Sequence, residues 1–151
     1  MLKQNLTDQE ILELISVPKK AHNWSGLKPR ANHVGHLIGS CQITDHSGIF
    51  IPGVTIAVEI KAPIITDQCL FLFSIMKLVG REKRRIYQLE VCPRDKRSHN
   101  GDPVIFGPHE HIGAIETIPI SEVGVSCGQW ETSVSWFMQR IKIDEFYIEL
   151  P

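Results

Sequence analysis

The sequence predicts an α+β domain: an antiparallel β-meander with one helix ahead of it and a C-terminal helix packed on it. Two stretches, "VTIAVEIK" and "RIYQLEV", alternate apolar and polar residues with the period of two that a half-buried strand requires. The connections between such runs are short, as in hairpins, whereas parallel crossovers need a dozen residues or more. The apolar residues near both ends of the chain instead follow the spacing of helix faces.

The first element is a helix. Thr7 with Glu10 three positions later has the form of a capping box, and Asp8 puts an acid where the helix dipole is positive. Ile11, Leu12, Leu14 and Ile15 supply the apolar face, and Pro18 ends the run. The segment "SVPKKAHNWSGLKPRANHVG", rich in Pro, Gly, Asn and basic residues, reads as a loop or extended arm with Trp24 as its anchor. "HVGHLIGSCQITDHSG" reads as a strand weakened by its glycines. In the next strand Val54, Ile56, Val58 and Ile60 point one way and Thr55, Ala57, Glu59 and Lys61 the other.

"DQCLFLFSIMKLVG" is apolar on both faces, which suits a central strand. After the turn at "GREKR", Tyr87, Leu89 and Val91 face inward while Gln88 and Glu90 face outward. "IGAIETIPI" supplies one more short strand. Trp130, Val134, Phe137, Met138 and Ile141 then line one face of the last helix, with Ser126 and Gln129 as a capping box at its start. Each such side chain contributes roughly 1.5–3 kcal/mol when fully buried, so this helix is the expected cover of the sheet. No repeat or linker divides the 151 residues, which form one domain, 1–151.

Composition narrows the function classes. The formal net charge is −1, so there is no global basic signature for nucleic acid. The charge is uneven, however. Of sixteen Lys and Arg, eight lie between Lys77 and Arg97. Such a run is either a solvated hairpin that keeps a sheet edge soluble or a local surface for phosphates. There is no stretch of about 18 apolar residues of the kind a membrane helix needs, and the polar N-terminus does not read as an export signal. Cys41, Cys69, Cys92 and Cys127 lack any CxxC spacing, and the expectation is four buried free thiols in a cytoplasmic protein.

The segment "HNGDPVIFGPHEHIG" carries three of the seven histidines. On a strand, His109 and His111 project from the same face, about 7 Å apart, and Glu110 points to the other. His99 joins them only if the turns at Asn100-Gly101 and Gly107-Pro108 fold the chain back. Asp95 and Asp102 are the acids near enough in sequence to hold a tautomer.

Three chemistries use such a cluster. A zinc site would take His109, His111 and His99 or Asp102, although an HxH pair alone is a weak metal signal. A nuclease would use one neutral imidazole as base toward a ribose 2′-hydroxyl and another as acid toward the leaving oxygen. Arg94, Lys96 and Arg97 would then neutralise the phosphate. The basic run favours this option over a cation. The third is no chemistry at all, only histidines on a polar strand face. No dinucleotide-loop context or nucleophile elbow is present, so no cofactor is implied.

The segment from Tyr87 to Ser121 resembles the TumE-like small bacterial toxin-like proteins of toxin–antitoxin loci and related domains of unknown function. In these a strand with Tyr and Arg leads through a polar turn to a "PHHKHVG"-like strand and a closing helix. The counterparts here are "RIYQLEVCPRDKRSHNGD", "GPHEHIG" and the helix near Trp130, with Glu110 in place of one histidine. The resemblance implies a cytoplasmic RNA-cleaving protein neutralised by an antitoxin partner.

The leading expectation is thus a metal-independent endoribonuclease with His109, His111 and His99 catalytic and Arg94, Lys96 and Arg97 binding substrate. A different class stays open: a non-enzymatic binding or regulatory domain from a mobile element, holding a protein partner through an exposed Trp24.

Overall fold

A computed structural model of the chain describes residues 6–62 and 68–150. The polar start of the chain, residues 1–5, lies outside them. The elements are α1 (Asp8–Ser16), β1 (Lys19–His22), β2 (Lys28–Pro29), β3 (Leu37–Asp45), β4 (Phe50–Ala62) and β5 (Leu70–Val79). They continue with β6 (Glu82–Val91), β7 (Arg97–His99), β8 (Ile105–Phe106), β9 (His109–Ile112), β10 (Glu116–Pro119) and α2 (Trp130–Arg140). The main sheet runs β1-β3-β4-β5-β6-β9-β10, with β2 also paired to β3, and every strand pairing in it is antiparallel. Strands β7 and β8 form a separate hairpin. The α+β fold with a meander between two helices is therefore observed.

Alternation along the long strands produces the core. Val54, Ile56, Val58 and Ile60 on β4 and Phe71, Phe73 and Ile75 on β5 are buried with Tyr87, Leu89 and Val91 on β6. Both helices pack on this face. Helix α1 contributes Ile11 and Ile15, and α2 contributes Trp130, Val134, Phe137 and Met138 to the same cluster. Trp130 meets Phe71 edge-on at 5.0 Å between centroids, and Phe137 lies 5.3 Å from Phe73. The Thr7–Glu10 capping box forms as its sequence predicts.

Four expectations need correction. Residues 16–35 are not simply a loop, because β1 pairs with Asp45–Gln42 of β3 and β2 with Ile38 and Leu37. Strands this short have too few residues to display a period. Leu12 does not join the apolar face and is 52% exposed. Helix α2 begins after Gln129 with no side-chain cap, so Ser126 and Gln129 make no capping box. Trp24 anchors its segment to the core as the sequence predicts, and is half-buried rather than the exposed hold for a partner of the second reading: it tilts against Phe146 at 5.5 Å. A Cβ on Gly39 would stand 2.6 Å from its ring, so the glycine that weakens β3 as a sequence signal makes room for this indole.

The cysteines also depart from expectation. Cys69, just before β5, is joined to Cys127, just before α2, while Cys41 and Cys92 are free and buried. Sequence spacing carries no information about which distant segments meet in a fold. Because disulfides persist mainly in oxidising compartments, the bond removes the cysteines as an argument for a cytoplasmic protein. Among the described residues, no helix is long and apolar enough to cross a membrane.

Lys19 is fully buried. Its Nζ donates to the carbonyls of Ile15 at 2.9 Å and Val17 at 2.8 Å, and to that of Ile141. One ammonium thus satisfies carbonyls at the C-terminal ends of both helices, where the dipoles favour a cation.

Candidate functional site

The face opposite the helices holds the candidate site. Ser74, Gln88, His111 and Thr117 are successive Cα partners across β5, β6, β9 and β10. The adjacent row runs Leu72, Glu90, His109 and Pro119. Gln88 Nε2 donates to Ser74 Oγ at 2.9 Å, and Arg85 Nη1 donates to Gln88 Oε1 at 3.4 Å.

On β9 the alternation separates the carboxylate from the imidazoles, as the period of two requires. Glu110 turns inward, where it accepts from Tyr87 Oη at 2.6 Å and from Arg140 Nε at 3.0 Å. His109 and His111 turn outward and lean together, with centroids 4.8 Å apart and Nε2 atoms 3.2 Å apart. The β7–β8 hairpin brings His99 back over them, its ring centroid 6.1 Å from that of His109 and 5.8 Å from that of His111. Gly107 makes this return tight: its φ is +80°, and a Cβ there would meet Arg94 Cα at 2.9 Å. All three sequence-predicted histidines therefore converge.

Their hydrogen bonds assign tautomers. His99 Nδ1 lies 2.7 Å from the Pro103 carbonyl, which only accepts, so Nδ1 carries a proton and Nε2 is turned free. His109 Nδ1 lies 3.1 Å from the Gly107 carbonyl and also 3.1 Å from Ser98 Oγ. Ser98 Oγ in turn donates to the Gly107 carbonyl at 2.7 Å, leaving its lone pairs to the imidazole N–H. His109 Nε2 stands between His111 and Glu90 Oε2, the latter at 3.4 Å. His111 Nδ1 meets Thr117 Oγ1 at 3.3 Å. Burial, followed by the charges of Arg85, His109 and His99, pushes the His111 imidazole from 6.5 down to about 4, so it is neutral at neutral pH.

The basic residues divide differently from the sequence expectation. Arg94 is exposed but committed, since its Nη2 donates to the carbonyls of Glu122 at 2.7 Å and Val125 at 3.2 Å. It braces the loop ahead of α2 rather than presenting itself to a phosphate. Lys96 and Arg97 are exposed, and Arg97 sits opposite Phe106 on the hairpin. The guanidinium that acts on His111 is that of Arg85, at the bulge where β5 and β6 shift register between Ile75 and Met76. Ring nitrogens are met by Ser98, Thr117, Glu90 and backbone carbonyls rather than by Asp95 or Asp102. Glu90 and Gln88 were legible as outward-facing; their row with the histidines required the register.

Among the described residues, no group of three His, Cys, Asp or Glu side chains has the arrangement of a metal ligand set. No family model, no curated protein and no solved structure matches the chain.

Proposed function

We propose that the chain is a metal-independent endoribonuclease acting on the phosphodiester through His111 and His99. One observation carries this reading: the rings of His99 and His111 stand with centroids 5.8 Å apart, and the Arg85 guanidinium acts on His111 beside them. A phosphodiester seated there places its charge against His111, and its arrival raises the proton affinity of the ring at the moment a base is needed.

The roles follow from distance. Two Nε2 atoms 3.2 Å apart are too close to stand on opposite sides of one phosphorus, so His109 and His111 do not form the acid/base pair. His99 and His111, with centroids 5.8 Å apart, have the room. His109 is 1% exposed and held at both nitrogens, which suits a positioning residue. Where Glu90 engages Nε2 of His109, the Nε2 of His111 is left free. That nitrogen takes the proton of the ribose 2′-hydroxyl, and the 2′-oxygen attacks phosphorus. The bond to the 5′-oxygen breaks as His99, entering the step as the imidazolium with a proton on each ring nitrogen, gives its Nε2 proton to that oxygen, which leaves a 2′,3′-cyclic phosphate and a 5′-hydroxyl. Arg85, with Lys96 and Arg97 further out, offsets the charge that gathers on the phosphoryl oxygens. The resemblance to toxin-like proteins supports the same class and adds an antitoxin partner to the proposal.

Incubation of the protein with an unstructured RNA in excess chelator is the test. Cleavage to cyclic-phosphate ends is expected, falling about 10²–10⁴-fold in His111→Ala and in His99→Ala. Full activity in both variants, or activity abolished by the chelator, overturns the reading.

A further inference from the structure

The β7–β8 hairpin has two sides. Ser98 and His99 turn toward the imidazoles, as their contacts show. Phe106 turns to solvent with 57% of its surface exposed, and Val104 beside it is 49% exposed. Across the hairpin from Phe106 stands Arg97, its Cα partner and likewise exposed. A benzyl ring this exposed gains only part of its hydrophobic stability where it stands, and the hairpin already buries Ile105 as its apolar tether. Phe106 precedes His109 by three residues, so its Cα lies within about 11 Å of the histidine's along the chain.

Resting on the ribonuclease reading, we infer that Phe106 and Arg97 form a platform for a single-stranded RNA nucleotide flanking the scissile bond. The ring offers a face on which an unpaired base stacks, and the guanidinium meets the adjoining phosphate. An aromatic face beside a cation is the combination that recognises single strands with little regard for sequence, because every base has a π-face. A duplex, whose bases are already stacked on one another, has no base to offer. The hairpin therefore ties substrate class to chemistry: the strand that stacks on its outer side is the one presented to His99 on its inner side.

Binding is measured separately from cleavage, by fluorescence anisotropy of a labelled 2′-deoxy-blocked oligoribonucleotide that presents no attacking hydroxyl at the scissile step. The full chain is expected to bind the single strand at least tenfold more tightly than the same sequence as a duplex. Phe106→Leu, which keeps an apolar side chain but removes the π-face, is expected to weaken binding about 5- to 100-fold, and Phe106→Trp to retain it. Arg97→Gln is expected to lower the slope of log affinity against log salt by about one. Equal affinity of Phe106→Leu and the parent protein overturns the platform while leaving the ribonuclease reading untouched; a hairpin built for a protein partner gives that result. Equal binding of duplex and single strand also overturns it. Retained binding with the stacking dependence, together with no cleavage of an unblocked RNA, upholds the platform and removes the ribonuclease.

Discussion

Glu110 and its two histidine neighbours show how one strand serves opposite faces of a sheet. Its carboxylate is buried against Tyr87 and Arg140, with the Arg140 guanidinium 5.5 Å above the Tyr87 ring. Burial and the carboxylate together push the Tyr87 hydroxyl well above its usual range, so it stays a donor at any working pH. Glu110→Ala leaves a partly buried guanidinium and a buried hydroxyl without their acceptor. Because Arg140 retains 33% side-chain exposure, the expected loss is at the low end for a broken buried pair, about 3 kcal/mol by urea unfolding. The variant with both Glu110 and Arg140 replaced by Met is expected to recover part of it. This division of β9 was legible in "HEH", because a period of two leaves no choice of side. The fate of Arg94 was not legible. A long side chain reaches whatever carbonyl the tertiary fold brings near, and Glu122 and Val125 lie far along the chain.

At the scale of elements, the long strands β4, β5 and β6 were readable because alternation persists over enough residues to distinguish a strand from a helix. β1, β2 and β7 are too short for that, and their existence depends on a neighbour's open edge. The link between Cys69 and Cys127 was beyond the same reasoning, since it depends on where the approach to α2 crosses the entrance of β5. It closes a span of 58 residues, which corresponds to about 4 kcal/mol of lost chain entropy in the unfolded state. Replacing both cysteines with Ser is therefore expected to lower unfolding free energy by about 2–4 kcal/mol. The proposed ribonuclease activity is expected to be unchanged below the melting transition, because the disulfide ties the approach to α2 to the helix-covered face and the histidines occupy the other. A variant that unfolds at the same denaturant concentration as the parent would show that the bond contributes no stability.

The whole molecule is a sheet with a helix-covered side and a histidine-bearing side, and acid acts on the two unequally. His111 is held at about 4 in the folded protein against 6.5 for a free imidazole. Between those values the unfolded chain takes up a proton that the folded chain refuses, so unfolding gains ground as pH falls. The stabilising contribution is complete above 6.5, is lost progressively down to about 4, and is constant below that. Carboxylates elsewhere titrate in part of the same window, and a difference between variants removes them. His111→Asn keeps a polar side chain of similar reach without the titration. Its unfolding free energy, measured in urea at pH 7.5 and pH 4.5, is expected to fall less than that of the parent. Equal slopes for both proteins would show that the imidazole titrates alike in the folded and unfolded states. Added inorganic phosphate extends the argument from stability to the site. An anion seated against His111 and Arg85 favours the protonated form of His111 and so flattens the acid slope of the parent more than that of His111→Asn.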